Sequence, residues 1–75
     1  MIEEIRIELF SQKVHTYKAK TEKFKGGYVE TQIEHLAQGI CISEAWYNEK
    51  HHKQKEKIIF HTWDKIKNIT ITYEK

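Results

Sequence analysis

The sequence predicts a mainly β protein: a meander of five or six antiparallel strands, curled into a small barrel or sandwich. Ile40–Tyr47 and Lys57–Thr62 are apolar and β-branched, and every residue of Asn48–Glu56 between them is polar. This pattern indicates two antiparallel strands joined by a solvated turn. Elsewhere apolar and polar residues alternate with a period of two, which is typical of strands with one face in a core. A chain of 75 residues makes one domain, residues 1–75.

The N-terminal third alternates in two stretches. Ile2–Phe10 is predicted to be a strand because its side chains alternate: one face has Ile5, Ile7 and Leu9, and the other has Glu4, Arg6 and Glu8. Ser11–Lys13 can turn the chain. Val14–Phe24 then continues as a strand, with Lys18 and Lys20 pointing away from the face of Tyr17. The lysine and two glycines at 25–27 are the strongest turn signal in the sequence, because glycine supplies the positive φ that tight hairpins need.

The segment Tyr28–Gln38 fits two interpretations. As a strand, Val29 and Ile33 alternate with polar residues; as a helix around 29–38 laid across the sheet, they share a face, and Gly39 ends the helix. No Ser, Thr, Asp or Asn precedes the segment as a helix N-cap. The strand is therefore preferred, and an α+β fold with one helix remains the alternative.

The C-terminal segment predicts a turn and a final strand. Trp63–Lys67 is too short for a regular helix, so we expect a turn in which Trp63 and Ile66 fold back over the core. In Asn68–Tyr73, isoleucine and tyrosine alternate with threonine, which predicts the closing strand.

Composition narrows the function classes. Thirteen Lys and Arg against eleven Asp and Glu give a net charge of +2, which is too weak to indicate nucleic acid and excludes an acidic mimic of DNA. Cys41 is the single cysteine, so an intrachain disulfide is excluded and a reducing, cytoplasmic location fits best. No secretory signal or membrane-spanning stretch is visible. The Ile-rich, Lys-rich, proline-free composition is typical of AT-rich bacterial genomes and their phages, and implies no function.

Lysines near aromatic residues suggest one candidate surface. A β-barrel that presents lysines beside aromatic platforms is the usual design for single-stranded nucleic acid binding, and Trp46, Tyr47 or Trp63 would stack on bases. The alternative is that outward lysines keep strand edges soluble, and the small net charge favours it. The candidate basic patch comprises Lys18, Lys20, Lys50, Lys53, Lys55 and Lys57.

Metal binding and catalysis have little support in the sequence. His51 and His52 are adjacent, so they point to opposite sides of an extended chain, and no Cys-x-x-Cys or His-x₃₋₅-His spacing accompanies them. Cys41 lies in an apolar run without a base at a recognisable spacing. We therefore expect no metal, no cofactor and no enzymatic activity. The remaining histidines are His15, His35 and His61.

Glu44 is an anomaly in an apolar pattern. Alternation places it on the face of Ile40, Ile42 and Trp46, where an unpaired carboxylate is expensive. One hypothesis pairs Glu44 with His61 across the hairpin, at a rim that contacts a ligand or partner. The preferred alternative is a β-bulge that shifts the register and turns Glu44 outward.

The aromatic surplus favours a binding role. Nine aromatic residues on so short a chain exceed what a small core hides, so we expect a small cytoplasmic protein that occupies a surface of a larger protein as an inhibitor, modulator or assembly subunit. Homodimerisation through an exposed edge belongs to the same hypothesis. A nucleic-acid-binding β-barrel is the alternative. The candidate partner-binding residues are Trp46, Tyr47, Trp63, Glu44 and His61.

Overall fold

A computed structural model describes residues 1–75 as seven strands and one short 3-10 turn. The strands are β1 (Ile2–Leu9), β2 (Val14–Lys18), β3 (Lys20–Phe24), β4 (Gly27–His35), β5 (Gly39–Asn48), β6 (Lys53–Thr62) and β7 (Ile66–Tyr73), and the 3-10 turn spans Trp63–Lys65.

The strands form two antiparallel sheets. One has three strands in the order β2-β1-β7, and the other has four in the order β3-β4-β5-β6. The predicted mainly β, sandwich-like meander is confirmed, although it has seven strands rather than five or six and the sheets do not close into a barrel. Gly27–His35 is a strand, so the strand interpretation of Tyr28–Gln38 is right and the helix alternative is wrong.

The core between the sheets is built almost entirely of isoleucine. Ile5 and Ile7 from the three-stranded sheet meet Ile40 and Ile42 from the four-stranded sheet, and all four are fully buried. Alternation explains this, because successive residues of a strand face opposite ways and β-branched side chains pack well on a pleated surface. Trp63 packs against this core as predicted. Around it lie Ile2, Ile33, Leu9, Tyr17, Ala19, Ile59, Ile66, Ile69 and Ile71.

The predicted strand Val14–Phe24 is divided at Ala19, where the chain leaves one sheet and enters the other. The Ala19 backbone N–H still donates to the Glu3 carbonyl oxygen at 2.8 Å. Lys18 pairs with β1, whereas Lys20 lies opposite Thr31 in the four-stranded sheet. The prediction of one continuous strand with these two lysines on a common face is therefore wrong. The two lysines belong to different sheets, so alternation along the chain does not place them on the same face.

The hairpin β5-β6 is longer than predicted. Its turn covers only residues 49–52, and β6 begins at Lys53 rather than at Lys57. The Asn48 side-chain oxygen accepts hydrogen bonds from the backbone N–H groups of Lys50 and His52, at 2.9 and 3.0 Å, and so organises the turn. Residues 53–57 are exposed along an edge strand. In this exposed part of an edge strand, both faces can carry polar residues. The polar run at residues 53–57 is therefore part of the strand and not of the turn.

Candidate functional site

The four-stranded sheet extends well beyond the isoleucine core. On its core-facing side, Ile33, Ile42 and Ile59 form a cross-strand row within the core. The next two rows towards the turn at residues 49–52 contribute no residue to the core or to the shell packed against it. We call these two rows the extended face. Its residues are Lys20, Thr31, Glu44 and Lys57 in the first row and Glu22, Val29, Trp46 and Lys55 in the second.

Trp46 is the large aromatic side chain of the extended face. It is half-buried among its strand neighbours and does not pack on the core. Val29 lies opposite it on β4, and Lys55 lies opposite it on β6. The Lys55 Nζ sits 4.4 Å from the centre of the indole ring, which is a cation–π contact. The ring thus has an apolar neighbour on one side and a positive charge on the other.

Glu44 remains on the extended face, beside Trp46. The register sets it opposite Lys57 and Thr31, while His61 lies opposite Ile40, so the predicted Glu44–His61 pairing is wrong. The preferred outward rotation is also wrong: the β-bulge exists, but it falls after Trp46. Glu44 and Lys57 do not form an ion pair. The two salt bridges of the molecule join Lys20 to Glu22 and Lys53 to Glu56. The carboxylate is half-buried without a charged partner in contact.

The opposite face of the same sheet end carries a tyrosine pair. Tyr28 and Tyr47 lie opposite each other and stack with ring centres 5.0 Å apart. The Tyr28 hydroxyl is 3.0 Å from His51 Nδ1 in the hairpin turn. Sequence reasoning selected Tyr47 but missed Tyr28. Folding residues 28–47 as a hairpin centred between Ala37 and Gln38 would have matched these two tyrosines and also Val29 with Trp46.

Trp63 lies far from Trp46, at the other end of the hairpin. It follows Thr62, which pairs with Gly39. Its indole N–H donates to the Leu36 carbonyl oxygen at 3.1 Å, and its ring packs against His35 at 4.9 Å between centres. The prediction that Trp63 forms one binding surface with Trp46 and Tyr47 is therefore wrong, and the contacts of Trp63 are internal to the fold.

The structure does not gather the candidate lysines into one patch. Lys18 lies in the three-stranded sheet and Lys50 in the hairpin turn. Several others have an acidic or aromatic neighbour: Lys20 is 3.5 Å from Glu22, Lys53 is 3.0 Å from Glu56, and Lys55 covers the Trp46 ring. Lys57 is exposed on the edge strand opposite Glu44.

A small cluster of titratable rings closes the gap between the sheets. The Tyr17 hydroxyl is 3.0 Å from His61 Nε2, and the His15 ring lies 5.2 Å from the His61 ring. Burial, and then the charge of nearby Glu44, raise the pKa of the Tyr17 hydroxyl. Burial, and then the proximity of His15, lower the pKa of His61. His61 is therefore a neutral hydrogen-bond partner for Tyr17 at pH 7.

This cluster predicts a specific acid sensitivity. Because the pKa of His61 is lower in the folded state than the value of about 6.5 in an unfolded chain, the unfolded state takes up more protons as the pH falls through that value. The stabilising contribution of neutral His61 is thus complete above pH 6.5 and is lost on acidification. We expect the variant His61→Gln to show a shallower fall in the urea unfolding midpoint between pH 7.5 and about 5.

The matched control is His52→Gln, which changes an exposed histidine of the hairpin turn and should leave the wild-type pH dependence unchanged. Equal slopes for wild type and His61→Gln would show that this imidazole does not contribute to the acid response.

Other site types are weakly represented. No group of three or more His, Cys, Asp and Glu side chains is close enough to hold a metal ion. An open cleft of about 320 Å³ lies beside the corner at Ala19, where Lys20 and Glu30 are its charged residues. None of the helical segments is long and apolar enough to cross a membrane.

The extended face, with Trp46 beside Glu44, is thus the most distinctive surface of the molecule. Comparison with known protein families, with curated proteins and with solved structures finds no match for this chain.

Proposed function

We propose that this chain is a small, non-enzymatic cytoplasmic protein that binds a larger protein through the extended face. As an inhibitor, modulator or assembly subunit, it would act by covering part of that partner's surface. The observation that carries the proposal is the Trp46 side chain, which is half-buried but packs on no core residue, on a sheet that continues past its own core.

The extended face has the composition of a protein interface. Tryptophan is the residue most enriched among the side chains that dominate binding energy, and it acts best at the centre of a patch with a polar rim. Here Trp46 and Val29 are flanked by positive Lys55 and negative Glu22 along one row. Residues of both signs fix the orientation of a partner and reject surfaces of the wrong charge.

Glu44 adds a requirement on the partner. A half-buried carboxylate with no ion pair would lose water when a partner covers it, and this is costly unless the partner supplies a donor. We therefore expect the partner to place an arginine, a lysine or a backbone N–H group against Glu44, next to an apolar side chain that packs on Trp46.

Nucleic acid is the weaker alternative for this surface. Binding to phosphates needs lysines that are free and share a face, and sequence-tolerant binding combines them with exposed rings. Lys20 and Lys53 are each paired with a glutamate, Lys55 already covers Trp46, and Glu44 faces Lys57. This mixture favours a protein partner.

The test is affinity capture from cells of the source organism with wild type and matched variants. We expect Trp46→Ala to reduce the recovered partner by at least about tenfold, because truncating a central aromatic anchor typically costs more than 1.4 kcal/mol. The control Tyr73→Ala removes another exposed aromatic side chain, 59% accessible, from the three-stranded sheet and should leave recovery unchanged.

A protein recovered equally by wild type and Trp46→Ala would contradict the proposal. Fluorescence anisotropy with single- and double-stranded oligonucleotides tests the alternative. An affinity that falls steeply with salt and is lost in Lys55→Glu and Lys57→Glu would assign the surface to nucleic acid instead.

A further inference from the structure

The last strand of the four-stranded sheet, β6, has a free edge. It is paired with β5 on one side only. Leu36 and Gly39 exchange two backbone hydrogen bonds, at 2.9 and 3.3 Å, so they are a hydrogen-bonded pair at the start of the β4-β5 ladder. Alternation from this pair means that odd-numbered residues of β5 bond to β4 and even-numbered residues bond to β6. Because antiparallel pairs alternate, Ile59 and His61 bond to β5, whereas the backbone N–H and C=O groups of Ile58 and Phe60 point away from the sheet.

The same two residues also expose apolar side chains. Ile58 is 62% accessible and Phe60 is 43% accessible, both on the sheet face that turns away from the three-stranded sheet. Proteins normally protect such an edge with charge, as Lys53, Lys55 and Lys57 do in the first half of β6. The second half, from Ile58 to Thr62, carries no charge at pH 7, because its one titratable residue, His61, is neutral at that pH.

The free edge of β7 differs in this respect. Its run Ile69–Tyr73 is also uncharged, but Ile69 and Ile71 turn towards the core, and the exposed residues are the threonines and the terminal Tyr73. The other free edges each expose one large apolar or aromatic side chain, Val14 on β2, Phe24 on β3 and Tyr73 on β7. Only β6 exposes two, Ile58 and Phe60, at alternate positions whose backbone groups are unpaired.

The sequence of β6 is complementary to itself in one antiparallel register. Centred on Ile59, that register sets Ile58 opposite Phe60 of a second copy, twice by symmetry, and Ile59 opposite Ile59. It also sets Lys57 opposite the neutral His61. A register centred on Ile58 would set Lys57 opposite Ile59. A register centred on Lys57 would set the two copies of Lys57 opposite each other. Like charges directly opposite are destabilising, and a register centred on Phe60 would set Ile58 opposite Thr62, so charge and apolar pairing together select the first register.

We propose that two copies of this chain pair through β6, antiparallel and centred on Ile59, so that their four-stranded sheets form one eight-stranded sheet. The two-fold axis makes the interface the same patch on both copies. Backbone hydrogen bonds from Ile58 and Phe60 hold the strands, and their side chains form one apolar cluster. The interface uses residues other than Trp46 and Glu44, so it stands independently of the proposed function.

Sedimentation velocity over a concentration series tests the proposal. An interface of this small size is expected to give a dimer with a dissociation constant on the order of micromolar. Phe60→Lys sets a lysine against Ile58 at both ends of the axis and should raise that constant by about tenfold or more. Ile58→Pro removes an outward N–H that has no role within one copy and should have the same effect. Circular dichroism of each variant checks that it remains folded.

The control Phe10→Lys changes another exposed aromatic side chain, 65% accessible, away from β6, and should leave the dimer intact. The register has its own test in a Cys41→Ser background. There, Ile59→Cys should form a disulfide-linked dimer under mild oxidation, since residue 59 faces its own copy in a closely spaced pair, and Glu56→Cys should not. A monomer at all concentrations, or a dimer that survives Phe60→Lys and Ile58→Pro, would overturn the proposal.

Discussion

Replacing Gly39 with alanine is expected to destabilise the fold by about 3 kcal/mol or more. Gly39 begins β5, with a φ of +157°, and it is buried against β6. A Cβ atom at this position would overlap the His61 carbonyl oxygen and press on the Thr62 backbone, 2.9 Å away. Because these are backbone atoms of a paired strand, they cannot rotate aside as a flexible side chain would, and the two strands must separate locally.

The measurement is urea unfolding followed by circular dichroism, with Gly26→Ala as the matched control. Gly26 has a φ of +98°, but an added Cβ would meet no atom within 4 Å. Its replacement therefore carries only the conformational cost of a left-handed residue, about 1–2 kcal/mol. Similar losses for the two variants would show that the contact with β6 does not determine the need for glycine at position 39.

Truncating Ile42 to alanine is expected to lower the free energy of unfolding by about 3 kcal/mol, within the usual range for large-to-small changes in a core. Ile42 is fully buried, and it lies at the centre of the row that joins Ile33 to Ile59. A domain of this size has a total stability of only roughly 4–11 kcal/mol, so the loss is a large fraction of it. The melting temperature should fall by more than about 10 °C.

The control is Ile58→Ala on the same sheet. Ile58 is 62% accessible, so the same truncation should change the stability of the monomer by less than about 0.5 kcal/mol. Thermal unfolding at low protein concentration separates this value from any effect on association. If the two variants lose similar stability, the isoleucine core does not carry the fold as the structure indicates.

Patterns local to one strand could be predicted from the sequence. Ile2–Phe10 and the segment after Tyr28 were identified as strands because alternation depends only on residues next to each other. The paired glycines at 26–27 and the short turn at Trp63 were also identified from local signals. These elements are sufficient to predict a β sandwich, since amphipathic strands must bury their apolar faces against one another.

Features that depend on how strands meet could not be predicted in the same way. Nothing in Val14–Phe24 marks Ala19 as the corner, because alternation continues through it and only the position of the second sheet requires the break. The polar residues 53–57 belong to a strand because that strand lies at an edge, which is a property of sheet order.

The residues of the candidate site could be predicted from the sequence, but their neighbours on the adjacent strands could not. Trp46, Tyr47 and Glu44 were selected on local grounds and do lie together at one end of the sheet. Their neighbours depend on register, and the predicted register was four residues away from the observed one, so Glu44 was matched with His61 instead of Lys57. A long polar connection does not fix register in the way that a two-residue turn does.

The pairing of β1 with β7 constrains the order in which the chain folds. Every pairing in the four-stranded sheet joins consecutive segments, whereas Ile5 and Ile71 must close a loop that includes nearly the whole chain. Local hairpins form quickly and long-range contacts form late. The four-stranded sheet can therefore assemble first, leaving its isoleucine row exposed to water until the final strand docks. During this interval a newly made chain is most vulnerable to aggregation.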